Sequence, residues 1–376
     1  MNPSSTFRIA VLPGDGIGVE VMQPCIDVLE AAMRRVGNVA LDYEWLEAGA
    51  NTYRETGNAL PKATFDACAK ADAILLGAMG MPHIRYPDGT EIAPQLDLRF
   101  DLGLYAGVRP IRTIPGVPSL LASPRAEAID FVIIRESTEG LFASRGKGVV
   151  TDDREARDTM VITRPVCERL FDFSFRLAED RRGSGSGKGR VTCVDKANVF
   201  ASFAFFRKIF DERAARFPDL AADHVYIDAM ALSLVLKPWE FDVMVTENMF
   251  GDILSDLGAG LIGGMGYAPS ADIGDEHAVF QPCHGSAPDI AGEGKANPTA
   301  MFQSAAMMLD WLGERHAAPS ARAAARLITD AIDAAFADGR LRTCEFGGDA
   351  DTAAVTRAIL AAIDNDTARV AAGGRA

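Results

Sequence analysis

The sequence predicts an α/β fold in which helices cover both faces of a parallel sheet. Apolar runs at 7–12, 41–46 and 73–77 have the length of buried strands, and residues 21–33 carry an apolar stripe at helical spacing. A second helix is expected over 61–70, with Pro61 in its first turn. This strand–helix–strand–helix–strand order is typical of parallel sheets.

The alternation of strands and helices continues further along the chain. Four more strands are expected, over 129–134, 191–194, 224–227 and 242–245. The C-terminal third reads as helical, with helices over 298–312, 321–336 and 352–363. A chain of 376 residues exceeds one ordinary core, so two domains are expected.

Composition excludes several classes of protein. The net charge of −14 argues against general nucleic-acid binding, and no apolar run reaches the ~18 residues of a membrane helix. The N-terminus, Met1–Arg8, lacks the charged-then-apolar order of a signal peptide. Six cysteines without a CxxC pair indicate free thiols in a reducing compartment. We therefore expect a cytoplasmic protein with no membrane or nucleic-acid partner.

Two acids in the stretch 248–256 predict a metal site. Asp252 and Asp256 are four residues apart, so a helix places both carboxylates on one face, where they repel each other. Carboxylate oxygens at this spacing suit Mg²⁺ or Mn²⁺. Asn248 is expected to cap the helix. A solvated acidic face is the alternative.

Three arginines are candidates for binding carboxylates. Arg99 and Arg109 flank a helix-to-strand segment, and Arg135 ends an apolar strand, where ligands gather in α/β folds. The arginine fork matches carboxylate geometry, so three in one pocket would favour a substrate with two or more carboxylates. Separate surface ion pairs are the alternative.

Two further charged residues, Lys196 and Asp228, are expected at strand ends. A lysine near a cation can have a lowered pKa and act as a base, and an additional acid could complete a metal site. Ordinary strand-end charges are the alternative. The small-residue loop 283–292 would let a ligand approach the backbone, with Asp289 accepting hydrogen bonds from a ribose diol.

Two glycine-rich segments carry weaker signals. The turn 14–18 follows the first strand, where nucleotides bind in open α/β folds, but its spacing is not GxGxxG and a tight turn is equally compatible. The segment 183–189 fails as a phosphate loop, because Gly189 stands where serine or threonine is needed and a strand follows. We expect it to be a flexible surface connection.

Motifs in order along the chain carry a family resemblance. The stretches LPGDGIGVEV, VIIRESTEG, VDKANV, YIDAMAL, NMFGDILSD and HGSAPDIAG resemble the isocitrate/isopropylmalate dehydrogenase family of metal-dependent β-decarboxylating dehydrogenases. The resemblance runs from about Ile9 to about Ile363. It implies a two-domain fold that is not a Rossmann fold. The dinucleotide-binding domain would comprise 1–104 and 264–376, and 105–263 would form the dimerisation and substrate domain.

The resemblance also implies a homodimer whose active sites are shared between subunits, with an intersubunit arm near 149–163. Arg99, Arg109 and Arg135 would bind the malate-type carboxylates, and Asp252 and Asp256 would bind Mg²⁺ or Mn²⁺. The neighbouring subunit would contribute the remaining catalytic pair, Lys196 as general base and Asp228 as metal ligand. The NAD site would comprise Asn198, His284, Gly285, Ser286, Ala287, Asp289 and Asn297.

The implied reaction passes hydride from C2 of a hydroxy diacid to NAD⁺, after which the β-carboxylate leaves as CO₂ and the enolate is protonated. NAD is expected over NADP because Asp289 stands where NADP-dependent members carry lysine. Phe142 replaces the family's proton-donating tyrosine, so either another donor serves or that step is altered.

The substrate helix departs from the family as well. Gln95 replaces a leucine that meets the isopropyl group in isopropylmalate enzymes, and Ala93 cannot replace the serine of isocitrate enzymes. A small or polar C3 substituent is therefore expected, as in D-malate or tartrate, while Leu96 and Leu98 leave isopropylmalate open. The alternative function is that of a non-catalytic regulatory paralogue.

Overall fold

The computed structural model describes residues 5–373, which form twelve strands and eleven α-helices. The strands are β1 (Ser5–Gly14), β2 (Val39–Trp45), β3 (Ala73–Ala78), β4 (Ala106–Arg112), β5 (Asp130–Glu136), β6 (Val149–Thr151), β7 (Glu155–Arg157), β8 (Arg190–Asp195), β9 (Ala221–Tyr226), β10 (Val243–Thr246), β11 (Pro269–Ile273) and β12 (Ala278–Pro282). The helices are α1 (Ile17–Val36), α2 (Ala50–Thr56), α3 (Lys62–Cys68), α4 (Pro94–Asp101), α5 (Arg164–Gly183), α6 (Ala201–Ala214), α7 (Ile227–Leu236), α8 (Asn248–Leu261), α9 (Thr299–Arg315), α10 (Pro319–Phe336) and α11 (Thr352–Gly373).

Ten strands form one sheet in the order β2-β1-β3-β12-β11-β4-β5-β10-β8-β9. The prediction of a parallel sheet is confirmed toward both edges but wrong in the middle, where β11 runs antiparallel to β12 and β4 runs antiparallel to β5 and β11. Parallel neighbours need a crossover of a dozen or more residues. The short turn between β11 and β12 allows only an antiparallel pair, and neither strand was among those predicted.

The strand order divides the sheet into two halves that come from different parts of the sequence. The five strands from β2 to β11 come from 1–104 and 264–376, and the five from β4 to β9 come from 105–263. Three residue pairs join β4 to β11, which makes a short seam between the halves. The division into two domains is consistent with this order and stays a prediction.

The predicted strands and helices lie where the apolar patterns place them. The stripe of α1 is buried at Val21, Cys25 and Leu29, as its spacing requires. One boundary differs, because Ile227 begins α7 instead of ending β9. The substrate helix, α4, begins at Pro94, so Gln95 and Arg99 lie within it and Ala93 precedes it.

Two peripheral segments bear on the predictions. Strands β6 and β7 form an antiparallel hairpin within 149–163, and its residues Val149 and Val150 are 58% and 71% exposed. The role of this hairpin as an intersubunit arm stays a prediction. Residues 183–189 form the surface connection between α5 and β8, and its Lys188 N–H donates to Asp242 at 2.7 Å.

All six cysteines are free, as expected. Within residues 5–373, none of the helices combines the length and the apolar character that crossing a bilayer requires. The expectation of no export signal rests partly on residues 1–4, which lie outside the described residues.

Candidate active site

The two acids of the DxxxD motif lie on one face of α8, as their spacing predicts. Asp252 and Asp256 both line a cavity of about 530 Å³, and both are exposed to it. Burial and the charge of Asp252 raise the pKa of Asp256. The pair is thus a concentration of negative charge that a cation would relieve.

The predicted cap of α8 is wrong by one residue. Glu247, and not Asn248, occupies the N-cap position, and its carboxylate accepts from the N–H groups of Met249 (3.1 Å) and Phe250 (3.4 Å). The side chain of Asn248 instead accepts from Arg135 and donates to the carbonyl of Glu139. Asn248 therefore links α8 to Arg135 on β5.

Arg135 is the centre of the charged wall. Its Nε donates to Asn248 Oδ1 at 2.9 Å and its Nη1 contacts Asp252 Oδ1. Burial, together with the neighbouring Arg99, lowers the pKa of Arg135 to about 10, so it stays charged at neutral pH. Gly251 permits this arrangement, because an added Cβ would lie 2.6 Å from the Cβ of Arg135.

The other two arginines share one buried acid that the sequence analysis did not single out. Asp272 on β11 accepts from Arg99 Nη2 at 2.9 Å and from Arg109 Nη2 at 3.0 Å. Burial raises the pKa of Asp272, but Arg99, Arg109 and Arg135 together outweigh that effect and hold it well below its usual range. The three predicted arginines are therefore brought together in one cavity wall, and Asp272 fixes two of them.

Three buried polar atoms in the wall of this cavity have no hydrogen-bond partner among residues 5–373. They are Oε1 of Gln95, Nε of Arg99 and Nε2 of His284. A buried polar group without a partner costs about 1–3 kcal/mol, so groups of this kind are normally satisfied by a ligand or by water. One amide oxygen, one guanidinium N–H and one imidazole nitrogen in this wall are thus left for a ligand or water to satisfy.

Within the described part of one chain, no three histidine, cysteine or acidic side chains cluster as metal ligands. Asp252 and Asp256 supply two carboxylates, whose oxygen atoms fit Mg²⁺ or Mn²⁺ and whose mutual repulsion a cation would relieve. The predicted third ligand, Asp228, does not line their cavity. Asp228 of the same chain is therefore not placed to join this pair.

Lys196 and Asp228 form a pair away from this cavity. Lys196 Nζ lies 2.5 Å from Asp228 Oδ1, and the Lys196 hydrogen bond lowers the pKa of Asp228. Asp228 is the second residue of α7 and not a strand end, and its side chain is 70% exposed. Asn198 is exposed in the turn after β8. One chain therefore presents Lys196, Asp228 and Asn198 on an outer surface.

The proposed cofactor loop continues the wall of the cavity. His284 and Gly285 line it, and burial lowers the pKa of His284, which keeps the imidazole neutral. His284 Nδ1 lies 3.0 Å from the carbonyl of Gly285, which leaves Nε2 as an acceptor. Ala287 adopts a positive φ of 37°, and Asp289 is exposed beyond it.

Ser286 and Asn297 form hydrogen bonds within the chain that hold this region in place. The hydroxyl of Ser286 donates to Gly80, and its carbonyl accepts from Ile17 N–H at 2.8 Å. The glycine-rich turn 14–18 is thus a tight turn that supports the loop. Asn297 Oδ1 accepts from the hydroxyl of Thr299 (2.7 Å), so its amide oxygen is already engaged.

Two acids behind the loop were also missed by the sequence analysis. Glu20 on α1 accepts from the N–H groups of Gly292 (3.0 Å) and Ala296 (2.9 Å). Asp15 is fully buried, and its carboxylate accepts from backbone N–H groups of 50–51 and of Gly80. The position of Asp15 and Glu20 in or just after the glycine-rich turn 14–18 is the one sequence feature that could have indicated these contacts.

Comparisons with known proteins agree with this geometry. Residues 8–363 match the family model described as isocitrate/isopropylmalate dehydrogenase. The chain is 43% identical over 346 residues to a 3-isopropylmalate/3-methylmalate dehydrogenase of Methanocaldococcus jannaschii, which covers 92% of this chain and 95% of that relative. It is 40% identical over 370 residues to a 3-isopropylmalate dehydrogenase of Bacillus subtilis, covering 95% and 97%.

A solved structure shares the fold. An isocitrate dehydrogenase from Methylococcus capsulatus superimposes with a TM-score of 0.81 at 35% identity, covering 95% of this chain and 99% of that one. Family match, sequence identity and fold thus agree over nearly the whole chain, and the chain belongs to the isocitrate/isopropylmalate dehydrogenase family.

Proposed function

We propose that this protein is an NAD- and Mg²⁺- or Mn²⁺-dependent dehydrogenase that oxidises and decarboxylates a (2R)-malate-type hydroxy diacid. The observation that carries the proposal is the cavity in which Arg99, Arg109 and Arg135 face Asp252 and Asp256. Guanidinium groups bind carboxylates, and paired carboxylates bind a divalent cation. A hydroxy diacid bound to such a cation meets both requirements at once.

The charged side chains of the cavity support a substrate that carries carboxylates and binds together with a cation. Three arginines (Arg99, Arg109 and Arg135) and three acids (Glu91, Asp252 and Asp256) line the cavity. Asp272 behind the wall pairs with two of the arginines. The guanidinium groups would bind substrate carboxylates, and the paired acids of α8 would bind a divalent cation.

The chain's own residues would hold the reacting groups. Asp252 and Asp256 would hold the metal ion, whose chemistry is to lower the pKa of a hydroxyl bound to it. Arg99, with its unpartnered Nε, and Arg109 would orient a substrate carboxylate. Lys196 would accept the proton of the C2 hydroxyl, with Asp228 hydrogen-bonded to it. The loop 283–292 would hold NAD, whose chemistry is to take up a hydride.

NAD is favoured over NADP by the loop 283–292. Asp289 is an exposed carboxylate at the far end of this loop, and a carboxylate accepts hydrogen bonds from a free 2′-hydroxyl while repelling a 2′-phosphate. His284 Nε2 supplies a buried acceptor at the cavity end of the same loop. The cofactor would therefore extend from the cavity toward Asp289.

The C3 substituent of the substrate would meet Gln95. This residue lies one helical turn before Arg99 on α4, and its buried Oε1 lacks a donor. A hydroxyl at C3 would supply that donor, whereas an isopropyl group would leave the oxygen unsatisfied at a cost of about 1–3 kcal/mol. A tartrate-type substrate is favoured on this ground, and relatives named 3-isopropylmalate dehydrogenase favour isopropylmalate.

A homodimer would complete the site. Lys196 and Asp228 lie outside the cavity of their own chain, and α7 exposes Leu232 and Leu236 at 61% and 62%. Ile253 on α8, the helix that packs against α7, is 60% exposed. Contiguous exposed apolar residues mark interaction surfaces. Pairing of these helices would let one subunit's Lys196 reach the other's metal site.

An assay of the pure chain tests the proposal. NADH and CO₂ would be measured with NAD⁺, Mn²⁺ and each of tartrate, D-malate, 3-isopropylmalate, isocitrate and homoisocitrate. We expect NADH formation that is abolished by EDTA and by Asp252→Asn, with tartrate or D-malate ahead of isocitrate. Mn²⁺ binding can be read separately by titration. If no substrate yields NADH, the result would support the regulatory alternative and refute the proposal.

A further inference from the structure

A second cavity, here called the rear cavity, has a volume of about 600 Å³ and lies behind the active site. The β4 residues Val108 and Pro110 line it, while Arg109 between them lines the active-site cavity. Alternate residues of a strand point to opposite faces of a sheet, so the two cavities lie on opposite faces. The β12 residues Phe280 and Gln281 divide between the two cavities in the same way.

Two helices form the walls of the rear cavity with the same pattern. α5 contributes residues spaced by three and four positions, Phe173, Arg176, Leu177 and Asp180. α9 contributes an equally spaced set, Met307, Asp310, Trp311 and Glu314. In each set two apolar residues alternate with two charged ones. The cavity therefore has an apolar interior and a charged mouth, which is the usual composition of small-molecule sites.

The charges at the mouth are only partly used. Asp310 is paired with Arg322, at 3.0 Å. Arg181 is paired with Asp130 and Asp242. The remaining charged residues of the lining are exposed and form no salt bridge within residues 5–373, namely Arg176, Glu179, Asp180 and Glu314. One guanidinium group and three carboxylates thus lack a salt-bridge partner around an apolar pocket.

We propose that the rear cavity binds an α-amino acid with a large apolar side chain. The side chain would pack on Trp311 and Met307, which are partly buried. The fully buried Phe280 supports Trp311 from below, with ring centroids 5.9 Å apart. The carboxylate of the ligand would pair with Arg176, and its ammonium group with Asp180 or Glu314. A ligand carrying both charges and an apolar body satisfies all three features, and a purely apolar one leaves the charges unpaired.

The rear cavity is coupled to the active site through the strands that they share. Asp272, which holds Arg109 at 3.0 Å, accepts from Gln281 Nε2 at 2.9 Å. Each of these residues is adjacent in sequence to a residue of the rear cavity, including Phe280 and Ile273. Occupancy would shift β4, β11 and β12 and so the guanidinium groups. This coupling rests on the proposed function, because its readout is the KM of the hydroxy diacid.

Calorimetric titration of the full chain with L-phenylalanine tests the binding. Phenethylamine, which lacks the carboxylate, and 3-phenylpropionate, which lacks the ammonium group, serve as matched probes. We expect L-phenylalanine to bind at least about tenfold more tightly than either, because each loses a charge-assisted contact. No heat of binding for L-phenylalanine, or equal affinity for phenethylamine, would overturn the assignment.

Variants locate the site. Arg176→Ala should weaken L-phenylalanine about tenfold and leave phenethylamine unchanged, while Arg54→Ala, a control at an exposed arginine of α2, should change neither. Met307→Trp should fill the cavity and abolish binding of both. Unchanged affinity in Arg176→Ala and Met307→Trp would place the ligand elsewhere and refute the proposal.

Kinetics test the coupling independently. Saturating L-phenylalanine should change the KM of the active hydroxy diacid by about fivefold or more, and the diacid should change the affinity for L-phenylalanine by the same factor. An unchanged KM with binding intact would refute the coupling. If the protein binds L-phenylalanine but oxidises no diacid, the proposed function is refuted and the assignment of the rear cavity is retained.

Discussion

The guanidinium of Arg135 lies over the ring of Phe142, with its Cζ 5.1 Å from the ring centroid. Arg135 also contacts Asp252, so the ring is next to one of the two acids that we propose as metal ligands. A cation over an aromatic face contributes about 0.5–2 kcal/mol of stabilisation. Phe142 thus helps to hold Arg135 in place, and its side chain has no proton to donate.

Phe142→Tyr should therefore restore a proton donor. The ring would keep its contact with Arg135, and we expect the rate of complete turnover to rise by about tenfold, below the full range for general acids because protonation need not be the only slow step. Coupled measurement of NADH and CO₂ would show it. Phe142→Leu is the control and should lower the affinity for the diacid. Equal rates in Phe142→Tyr and wild type would contradict altered protonation.

Gln95→Leu should change the preferred substrate. The leucine removes the unsatisfied Oε1 and offers an apolar surface to a C3 alkyl group. We expect kcat/KM to rise about tenfold for 3-isopropylmalate and to fall at least as much for tartrate. Parallel kinetics with both substrates measure the switch. If kcat/KM for tartrate is unchanged by the substitution, Gln95 does not contact the C3 substituent.

Asp289→Lys should reverse the cofactor preference. The lysine removes the acceptor for a 2′-hydroxyl and attracts a 2′-phosphate, so the kcat/KM ratio of NAD⁺ to NADP⁺ should fall by about a hundredfold. Asp289→Asn is the matched control and should reduce the ratio less, because it removes only the charge. An unchanged ratio in the lysine variant would discredit the assignment of Asp289.

Mixing two inactive variants tests the shared site. Lys196→Ala and Asp252→Asn should each abolish activity, because each removes one half of every site. In mixed dimers one site of each heterodimer regains both groups, so refolding equal amounts together should restore about a quarter of wild-type activity. Size-exclusion chromatography with light scattering should confirm the dimers. If the mixture stays inactive although heterodimers form, Lys196 and Asp252 act within one chain.

Glu136 should make stability depend on pH. It is buried at the end of β5, and burial raises its pKa to about 7 despite hydrogen bonds from Thr138 and Glu139. Between its unfolded pKa of about 4.5 and 7 only the folded chain holds the proton, so stability falls as pH rises through that window, by on the order of 3 kcal/mol. Chemical denaturation at pH 5.5 and 7.5 should show a smaller decline in Glu136→Gln. If wild type and Glu136→Gln lose the same stability between these pH values, groups other than Glu136 cause the loss.

Residue spacing alone was enough to predict part of the site. The four-residue interval between Asp252 and Asp256 fixes their common helix face, and Arg135 is predictable because it ends an apolar strand. Asp272 was missed because a lone acid in a short apolar run gives no sign of the two arginines that approach it from distant segments. Long-range pairing of this kind depends on which strands become neighbours.

Local chemistry also left alternatives that only the fold decides. Glu247 and Asn248 are both able to cap α8, and the extended backbone at Glu247 selects it. The strands β11 and β12 were missed because five-residue runs carry too little periodicity to stand out beside the long helices that follow. The mixed centre of the sheet could not be inferred without them.

The short seam between β4 and β11 has a mechanical consequence. Arg109 on β4 and Asp272 on β11 form a salt bridge across this seam, so one ion pair spans the two parts of the chain. A rotation of one half of the sheet against the other would change the separation of these two charges. The direction in which the guanidinium of Arg109 points would therefore depend on that rotation.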